Sequence, residues 1–249
     1  MHFMSGSLRY AELKDERLKT VLSMIGRCET LADVGCDHGF LSAAAILSGA
    51  ARYALASDIS PVSAHKAGRL AKKLGLAGVM SVVCADGLAP IGSEEPPYSI
   101  AICGMGGELI ARILDKGAHA AKTADLIVMQ PMRGEAELRE YLVKNGYRIT
   151  DERVVREGKR FYQVIAAVPN GDGRVPEWFP KGWFRFGWVA AQKHPEELLP
   201  LLRHYRSVYG EELRKARMKG REPEEISAEI ARTDRLIGII TGGEADASE

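Results

Sequence analysis

The sequence predicts an α/β fold with a mostly parallel sheet, an antiparallel terminal strand and a C-terminal helical hairpin. Three observations predict it. Five apolar runs alternate with segments of helical period, two further runs flank Gly158-Lys159, and two long amphipathic stripes follow. Repeated strand–helix units imply parallel strands whose two faces are covered by helices.

The predicted elements follow one another with short connections. A helix over 8–25 precedes the first strand, because apolar residues recur there at helical spacing. The parallel strands are predicted at 30–34, 53–59, 80–85, 99–103 and 125–129. The helices between and after them are predicted at 40–48, 60–74, 108–116 and 134–144. The antiparallel hairpin is predicted at 147–157 and 160–168.

The chain changes character after the breaker-rich segment 169–173, so we expect a domain over 1–170 and a helical arm over 171–249. Six aromatic residues crowd into 178–188, and helical stripes follow at 195–209 and 224–240. Their spacing predicts an antiparallel helical hairpin of coiled-coil type. Trp and Phe at this density favour a hydrophobic anchor for the arm over a surface that stacks bases. The acidic tail from 242 to 249 is expected to be disordered.

Composition narrows the function only slightly. The 249 residues are 46% hydrophobic and 27% charged, with a formal net charge of +1, so a nucleic-acid surface would have to be a local patch. The four cysteines lack C-x-x-C spacing, which disfavours a zinc ribbon, a redox pair or a disulfide scaffold, and we expect no metal site. The N-terminal residues lack a signal-peptide pattern and no apolar run is long enough to span a membrane, so we expect a cytoplasmic protein.

The most informative stretch is the turn between the first predicted strand and its helix. It reads Asp33-Val34-Gly35-Cys36-Asp37-His38-Gly39. Glycines there allow the backbone to approach a ligand at a helix N-terminus, as nucleotide-like cofactors require. Asp37 replaces a glycine of the usual fingerprint, and its carboxylate would repel a pyrophosphate but accept hydrogen bonds from a cationic amine such as that of S-adenosylmethionine. The alternative is a structural turn with Asp37 as the helix N-cap.

The next two strands also end in acidic residues, where ligands bind in open parallel sheets. Asp58 lies nineteen residues after Gly39 and is placed to accept both ribose hydroxyls, or else to cap the helix that begins near Ser60. Asp86-Gly87 is placed to accept from an adenine amino group while the backbone passes beneath the ring, or else forms only a turn.

The fourth and fifth strands end in residues suited to the reacting centre. Cys103-Gly104-Met105-Gly106-Gly107 implies close backbone approach beneath a transferable group, although the glycines alone would also suit a tight turn. Gln130-Pro131-Met132 offers an amide that could hydrogen-bond to a base edge. These signals are weak singly, but together they occur in order at successive strand ends.

These motifs resemble the bacterial tRNA (adenine-22-N1)-methyltransferases, which are class I S-adenosylmethionine enzymes. The resemblance rests on 31–41, Asp86-Gly87-Leu88, 102–107, 130–132 and Glu157-Gly158-Lys159, and it spans nearly the whole sheet domain. It implies a Rossmann-like methyltransferase sheet, S-adenosylmethionine as cofactor, and an arm that holds tRNA. The cofactor-binding residues are then expected to be Asp33, Gly35, Cys36, Asp37, His38, Gly39, Asp58, Ile59, Ala85, Asp86, Gly87 and Gly104.

The implied chemistry needs no strong base, because adenine N1 carries an in-plane lone pair. Positive charge moves from sulfur to the ring, so negative or dipolar groups beside it would help; the catalytic candidates are Asp33 and the segment Gly104, Met105 and Gly106. Asp33 could instead only orient the turn. The base must be extruded into a pocket, where Phe40, Met105 and Met132 would sandwich it. His38 would hydrogen-bond the cofactor or the base, or be structural.

We expect tRNA to be held by basic residues at one end of the helical hairpin. The substrate-binding candidates are Phe40, Gln130, Pro131, Met132, Arg214, Lys215, Arg217 and Lys219. The arm cations could instead belong to an ordinary solvated face. We expect a monomer or weak homodimer that binds no membrane. The alternatives are a small-molecule methyltransferase whose arm is a lid or dimer element, and a non-catalytic RNA-binding protein.

Overall fold

The computed structural model describes residues 13–91, 98–180 and 183–242. Seven strands form one sheet: β1 Cys28–Val34, β2 Ala51–Asp58, β3 Met80–Cys84, β4 Tyr98–Gly106, β5 Leu126–Arg133, β6 Arg148–Glu157 and β7 Arg160–Val168. The α-helices among the described residues are α1 Glu16–Ile25, α2 Phe40–Leu47, α3 Pro61–Lys73, α4 Gly107–Lys116, α5 Ala118–Thr123, α6 Glu135–Lys144, α7 Trp188–Lys193, α8 Pro195–Arg217 and α9 Glu224–Thr241.

The strand order is β3-β2-β1-β4-β5-β7-β6. Strands β1 to β5 pair in parallel, and β7 runs antiparallel to both β5 and β6. The chain leaves β1 toward β2 and β3 and then returns to place β4 on the other side of β1. This reversal puts a ligand-binding crevice beyond the carboxyl ends of β1 and β4. The predicted mostly parallel sheet with an antiparallel strand is confirmed.

Most predicted elements match the structure closely, but the ends of β4 and β5 differ. We predicted that β4 would end at Cys103, with a glycine turn after it. Instead Met105 pairs with Pro131 and Gly106 with Arg133, with register shifts on both sides of Met105. The glycine segment is therefore an irregular strand end, whose pairing with β5 holds it in place. The predicted first helix begins only at Glu16, after the N-cap Asp15, so residues 13–15 are not helical. The part of this prediction before residue 13 and the tail beyond 242 lie outside the described residues.

Both faces of the sheet are covered, as the alternation of strand residues requires. Leu31 and Ala32 are consecutive in β1 yet belong to different hydrophobic clusters. Leu31 packs in the cluster that contains residues of α1 and α2, whereas Ala32 packs with residues of α4, α6 and the C-terminal segment. The sheet is thus the middle layer of three.

The aromatic connector is buried against the sheet face that carries α4 and α6. Phe179, Trp183, Phe186 and Trp188 are at most 4% exposed. The rings of Trp183 and Phe186 meet edge to face with centroids 4.9 Å apart, and Phe186 contacts Tyr205 of α8 in the same way at 5.4 Å. The prediction that this segment anchors the arm is confirmed, since buried rings cannot stack on RNA.

A buried ion pair joins the connector to the sheet. Arg139 of α6 and Glu152 of β6 are each 1% exposed, and Nε of Arg139 donates to Oε1 of Glu152 at 2.6 Å. The guanidinium also donates to Gln163 Oε1 at 2.8 Å and to the carbonyl of Phe184 at 3.1 Å. The second oxygen of Glu152 accepts from the backbone N–H of Val189 at 2.9 Å. The two charges are therefore compensated by hydrogen-bond partners on three further elements, namely β7, the connector and α7.

We expect Arg139→Met to lower the free energy of unfolding by about 3–5 kcal/mol, because it leaves Glu152 charged and buried without its partner. Lys144→Ala is the matched control: it removes a cation of the same helix that pairs with Glu140 on the surface, where such pairs contribute about 0.3–0.5 kcal/mol. Urea denaturation measures both. A loss below about 1 kcal/mol for Arg139→Met would show that the buried pair does not hold the fold together.

Candidate cofactor and substrate site

A cavity of about 460 Å³ opens beyond the carboxyl ends of β1, β2, β3 and β4. It brings together eleven of the twelve predicted cofactor residues, although they lie up to 71 positions apart in the chain. Those that line it are Asp33, Gly35, Cys36, Asp37, His38, Asp58, Ile59, Ala85, Asp86, Gly87 and Gly104. Met105 and Phe40, predicted for catalysis and substrate, line it too.

Gly39 is the exception, and the structure assigns it another role. It is the N-cap of α2 with φ of 73°, and a Cβ there would lie 2.8 Å from Met80 Cε and 3.0 Å from Ala67 Cβ. Gly39 thus allows α2 to pack closely on α3 and β3, and its predicted contact with a cofactor stays a prediction. The alternative that Asp37 caps this helix is wrong, since α2 has no side-chain cap.

The turn after β1 is held by β2. The N–H groups of Gly35 and Cys36 both donate to the carbonyl of Ser57, at 2.8 and 2.9 Å. Gly35 has φ of 72°, and a Cβ there would lie only 2.0 Å from Met105 Cε. The Met105 side chain therefore lies directly on the Gly35 backbone, so the ends of β1 and β4 meet at the floor of the cavity.

The Asp58 carboxylate links the turn to the start of α3. Its Oδ2 accepts from the N–H of Asp37 at 3.0 Å and its Oδ1 from the N–H of Ser60 at 2.8 Å. Ser60, not Asp58, is the N-cap of α3, because its own side chain accepts from Ser63 N. Asp58 remains partly exposed toward the cavity, and a carboxylate held in this way is pre-oriented to accept from a ligand hydroxyl.

Asp33 is the buried acid of the site. It is 3% exposed, and Ser42 Oγ of α2 donates to its Oδ2 at 2.7 Å. Burial raises the pKa of Asp33 to about 6, against the opposing effect of the Ser42 hydrogen bond. The carboxylate is therefore mostly ionised at neutral pH, and a bound cation would favour that form further.

The two thiols of the site are protonated at neutral pH. Burial raises the pKa of Cys36 to about 12, with a smaller contribution from Asp33, and burial likewise raises the pKa of Cys103. Because the thiolate is the nucleophilic form of cysteine, neither residue is suited to covalent catalysis.

Gln130 does not present its amide to a base edge, contrary to our prediction. Its side chain is completely buried, and its Oε1 accepts from Arg17 Nη1 at 2.5 Å and from the N–H of Gly104 at 3.3 Å. Pro131 is buried as well, whereas Met132 is 44% exposed. Only Met132 of this segment is accessible to a substrate.

Arg17 is the site residue that sequence reasoning missed. It lies in α1, lines the cavity, and is held by Asp15 Oδ2 at 2.9 Å as well as by Gln130. Its guanidinium lies beside Gly104, where a Cβ would be 3.6 Å from Nη1. No motif could have indicated it, because its partner Gln130 lies 113 positions away and α1 carries two other charged residues.

Four basic residues of the arm are predicted to bind tRNA, namely Arg214, Lys215, Arg217 and Lys219. They lie at the end of α8 and just after it. Lys215 pairs with Glu211 at 4.0 Å and Arg217 with Glu222 at 3.1 Å. In the described part of the chain, Arg214 and Lys219 have no carboxylate partner. None of the four lines the cofactor cavity.

One group of side chains has metal-ligand geometry among the described residues. Potential ligand atoms of His194, Glu196 and Glu197 lie within 4.8 Å of one another. Two of the three are already engaged, because His194 pairs with Asp151 at 3.0 Å and Glu197 with Arg153. These contacts fix α8 to β6.

Residues 14–165 match the model of the methyltransferase domain family. The chain belongs to this family. The chain is 36% identical over 157 residues to the tRNA (adenine(22)-N(1))-methyltransferase of Bacillus subtilis, a match that spans 63% of this chain and 66% of that protein, just under two thirds of its length. This similarity confirms the resemblance inferred from the motifs.

Solved structures extend the similarity over the arm. The chain superposes on the tRNA methyltransferase TrmK of Bacillus subtilis with a TM-score of 0.68 and 28% identity, covering 94% of this chain and 100% of that one. It shares the fold of a Streptococcus pneumoniae protein in complex with S-adenosyl-L-methionine, with a TM-score of 0.79 and 24% identity over 90% of this chain and 100% of the other. No helix in the described ranges has the length and hydropathy to cross a membrane.

The raised pKa of Asp33 predicts a pH-dependent stability. Ionising Asp33 costs more free energy in the folded than in the unfolded protein. Its contribution to the free energy of unfolding is therefore fully present below about pH 4 and is lost as the pH rises to about 6. A shift of this size corresponds to roughly 3 kcal/mol. Asp33→Asn, which retains an oxygen acceptor for Ser42, should therefore be more stable than the wild type at pH 7 but not at pH 4.

Chemical denaturation between pH 4 and pH 7 measures the free energy of unfolding of the variant and of the wild type. The other titrating groups are the same in both proteins, so their effects cancel in the difference. Asp125→Asn is the control, since it removes an exposed carboxylate just before β5, at the amino ends of the parallel strands and away from the cavity. A difference for Asp33→Asn that does not change between pH 4 and pH 7 would contradict the assignment.

Proposed function

We propose that this protein is an S-adenosylmethionine-dependent methyltransferase that methylates N1 of adenine 22 in tRNA. The observation that carries the proposal is the single cavity lined by carboxylates from three strand ends, Asp33, Asp58 and Asp86. The relative of this name in Bacillus subtilis supports the substrate, and the ligand of the Streptococcus pneumoniae protein supports the cofactor.

The donor set of the cavity fits S-adenosylmethionine. The four lining carboxylates, which include Asp37, suit a ligand that carries an ammonium group, ribose hydroxyls and an adenine amino group, and they would repel a pyrophosphate. We assign Asp58 to the ribose because its two oxygens are already held in place by backbone N–H groups. When bound, the cofactor supplies an electrophilic methyl group on a positively charged sulfur.

The residues of this chain then act by positioning and electrostatics. Adenine N1 needs no deprotonation, which agrees with a floor that offers no thiolate nucleophile. Asp33 supplies a negative charge beneath the site, and the Gly104–Gly106 backbone, held by Gln130 and by pairing with β5, supplies carbonyl dipoles. Phe40 and Met132, which are 45% and 44% exposed, are the accessible apolar side chains between which an extruded base would fit.

The arm is proposed to contact tRNA through the cations near the tip of the helical hairpin, Arg214, Lys215, Arg217 and Lys219. The two ion pairs there are exposed, so phosphates can replace the carboxylates at little cost.

The arm cannot be tested by truncation, because Leu198, Leu202 and Leu236 are buried in the same core as the sheet. The division into a domain over 1–170 and an arm over 171–249 stays a prediction, as does location in the cytoplasm, where tRNA is the available substrate.

Incubation with labelled S-adenosylmethionine and an unmodified tRNA transcript should produce 1-methyladenosine, detected by nucleoside analysis. A transcript with guanosine at position 22 is the matched control and should accept no methyl group at that position. Formation of no 1-methyladenosine, or equal formation from both transcripts, would refute the proposal.

Asp58→Ala should weaken cofactor binding about 10- to 100-fold in titration calorimetry, because a charged acceptor of two hydroxyl hydrogen bonds is lost. Arg217→Ala should leave cofactor affinity within about twofold, since Arg217 does not line the cavity, and should weaken tRNA binding. Equal cofactor affinity of Asp58→Ala and wild type would remove the ribose assignment. Circular dichroism of both variants checks that they are folded.

A further inference from the structure

Helix α3 carries positive charge without any acidic residue. Its sequence, Pro61–Lys73, contains His65, Lys66, Arg69, Lys72 and Lys73, and neither Asp nor Glu. The buried face of the helix consists of Ala64, Ala67 and Ala71, so the long basic side chains lie on its exposed surface. This is a strong local patch on a chain whose formal net charge is only +1.

The cations at the centre of the patch have no neutralising partner among the residues that the structure describes. In the described part of the chain, Lys66 and Arg69 have no carboxylate partner, although both are exposed. Lys72 lies in the last helical turn, where a cation is favourable beside the helix C-terminus, but Lys66 and Arg69 lie too far from that end for this explanation. Two unpaired cations one turn apart on a solvent-exposed face suit successive negative charges of a ligand.

This basic face adjoins the cofactor cavity. Lys66, Arg69 and Lys72 line a groove of about 450 Å³ together with His38 and Phe40, and these two aromatic residues also line the cofactor cavity. Ser63 Oγ of α3 donates to Asp37 Oδ1 of the cofactor turn at 3.4 Å. The groove and the cavity are therefore neighbours that share one wall.

The shared wall is aromatic and accessible. The rings of His38 and Phe40 are stacked, with centroids 5.5 Å apart and planes at 9°, and the side chains are 43% and 45% exposed. An exposed stacked pair beside unpaired cations combines the two contacts that a single-stranded nucleic acid makes, stacking for a base and positive charge for phosphates.

We propose that the α3 face is a second RNA-docking surface, which binds the backbone of the tRNA segment next to the target nucleotide while His38 and Phe40 receive a base at the entrance to the cavity. The inference rests on the proposed function and deepens it. The arm would then hold the tRNA at a distance, and α3 would bring the reacting segment to the cofactor. An anionic lipid surface would satisfy the charges but not explain the stacked rings at the cavity wall.

The test compares two double variants that change the net charge equally. Lys66→Glu with Arg69→Glu alters the α3 face, and Arg27→Glu with Arg148→Glu alters two exposed cations at the amino ends of β1 and β6, at the opposite edge of the sheet. Arg27 and Arg148 likewise have no carboxylate partner in the described part of the chain. Thermal unfolding and cofactor affinity of both variants should remain close to wild type.

The measurement is the dissociation constant for an unmodified tRNA transcript, by fluorescence anisotropy over a range of salt concentrations without cofactor. The α3 variant should bind at least about tenfold more weakly, with a salt slope smaller by about 1.5, because two phosphate contacts are lost. The opposite-edge variant should bind within about threefold of wild type. Equal weakening in both variants, or no weakening in either, would overturn the inference.

The binding comparison requires no turnover, so it decides the docking surface even if the wild type methylates no tRNA, in which case the proposed function fails by itself. Co-sedimentation with vesicles of phosphatidylglycerol and phosphatidylcholine tests the lipid alternative. Vesicle binding that the α3 variant abolishes, together with unchanged tRNA binding, would also overturn the inference.

Discussion

The buried ion pair between Arg139 and Glu152 is the interaction on which the arrangement of sheet and arm depends. Both side chains are 1% exposed, and the cost of removing two charges from water is met only because Gln163, the Phe184 carbonyl and the Val189 N–H complete their hydrogen bonds. These partners lie on β7, on the connector and at the start of α7. The pair therefore fixes where the connector crosses the sheet, and the aromatic rings and α8 pack on that frame.

The sheet determines the site by a different constraint, its parallel order. Because β1 is flanked by β2 and β4, the acidic ends of successive strands meet around one crevice. Close packing then fixes the floor, where Met105 lies against Gly35 and Gln130 holds both Arg17 and the N–H of Gly104. The resulting cavity is acidic and has a rigid floor, properties suited to a cationic cofactor and to a reaction that moves positive charge.

Arg17 lines the cavity, but the cations proposed to bind RNA lie away from the carboxylates of the site. They are divided between the arm tip, where some cations already have carboxylate partners, and the face of α3, where Lys66 and Arg69 have none in the described part of the chain. The proposed function requires such a separation, because a cationic cofactor and an RNA then meet groups of opposite charge. The exposed rings of His38 and Phe40 lie at the boundary between the two regions.

The sequence by itself determined the strand and helix order, the acidic strand ends and the family resemblance, because periodicity and the turn motif are local properties of the chain. It placed Asp33, Asp58 and Asp86 at one site because parallel strands share an edge. Only the tertiary structure assigned Gln130 to the buried floor, since that depends on a contact with Arg17 over 113 positions. Likewise, Gly39 serves helix packing because Met80 and Ala67 lie behind it, which no local pattern encodes.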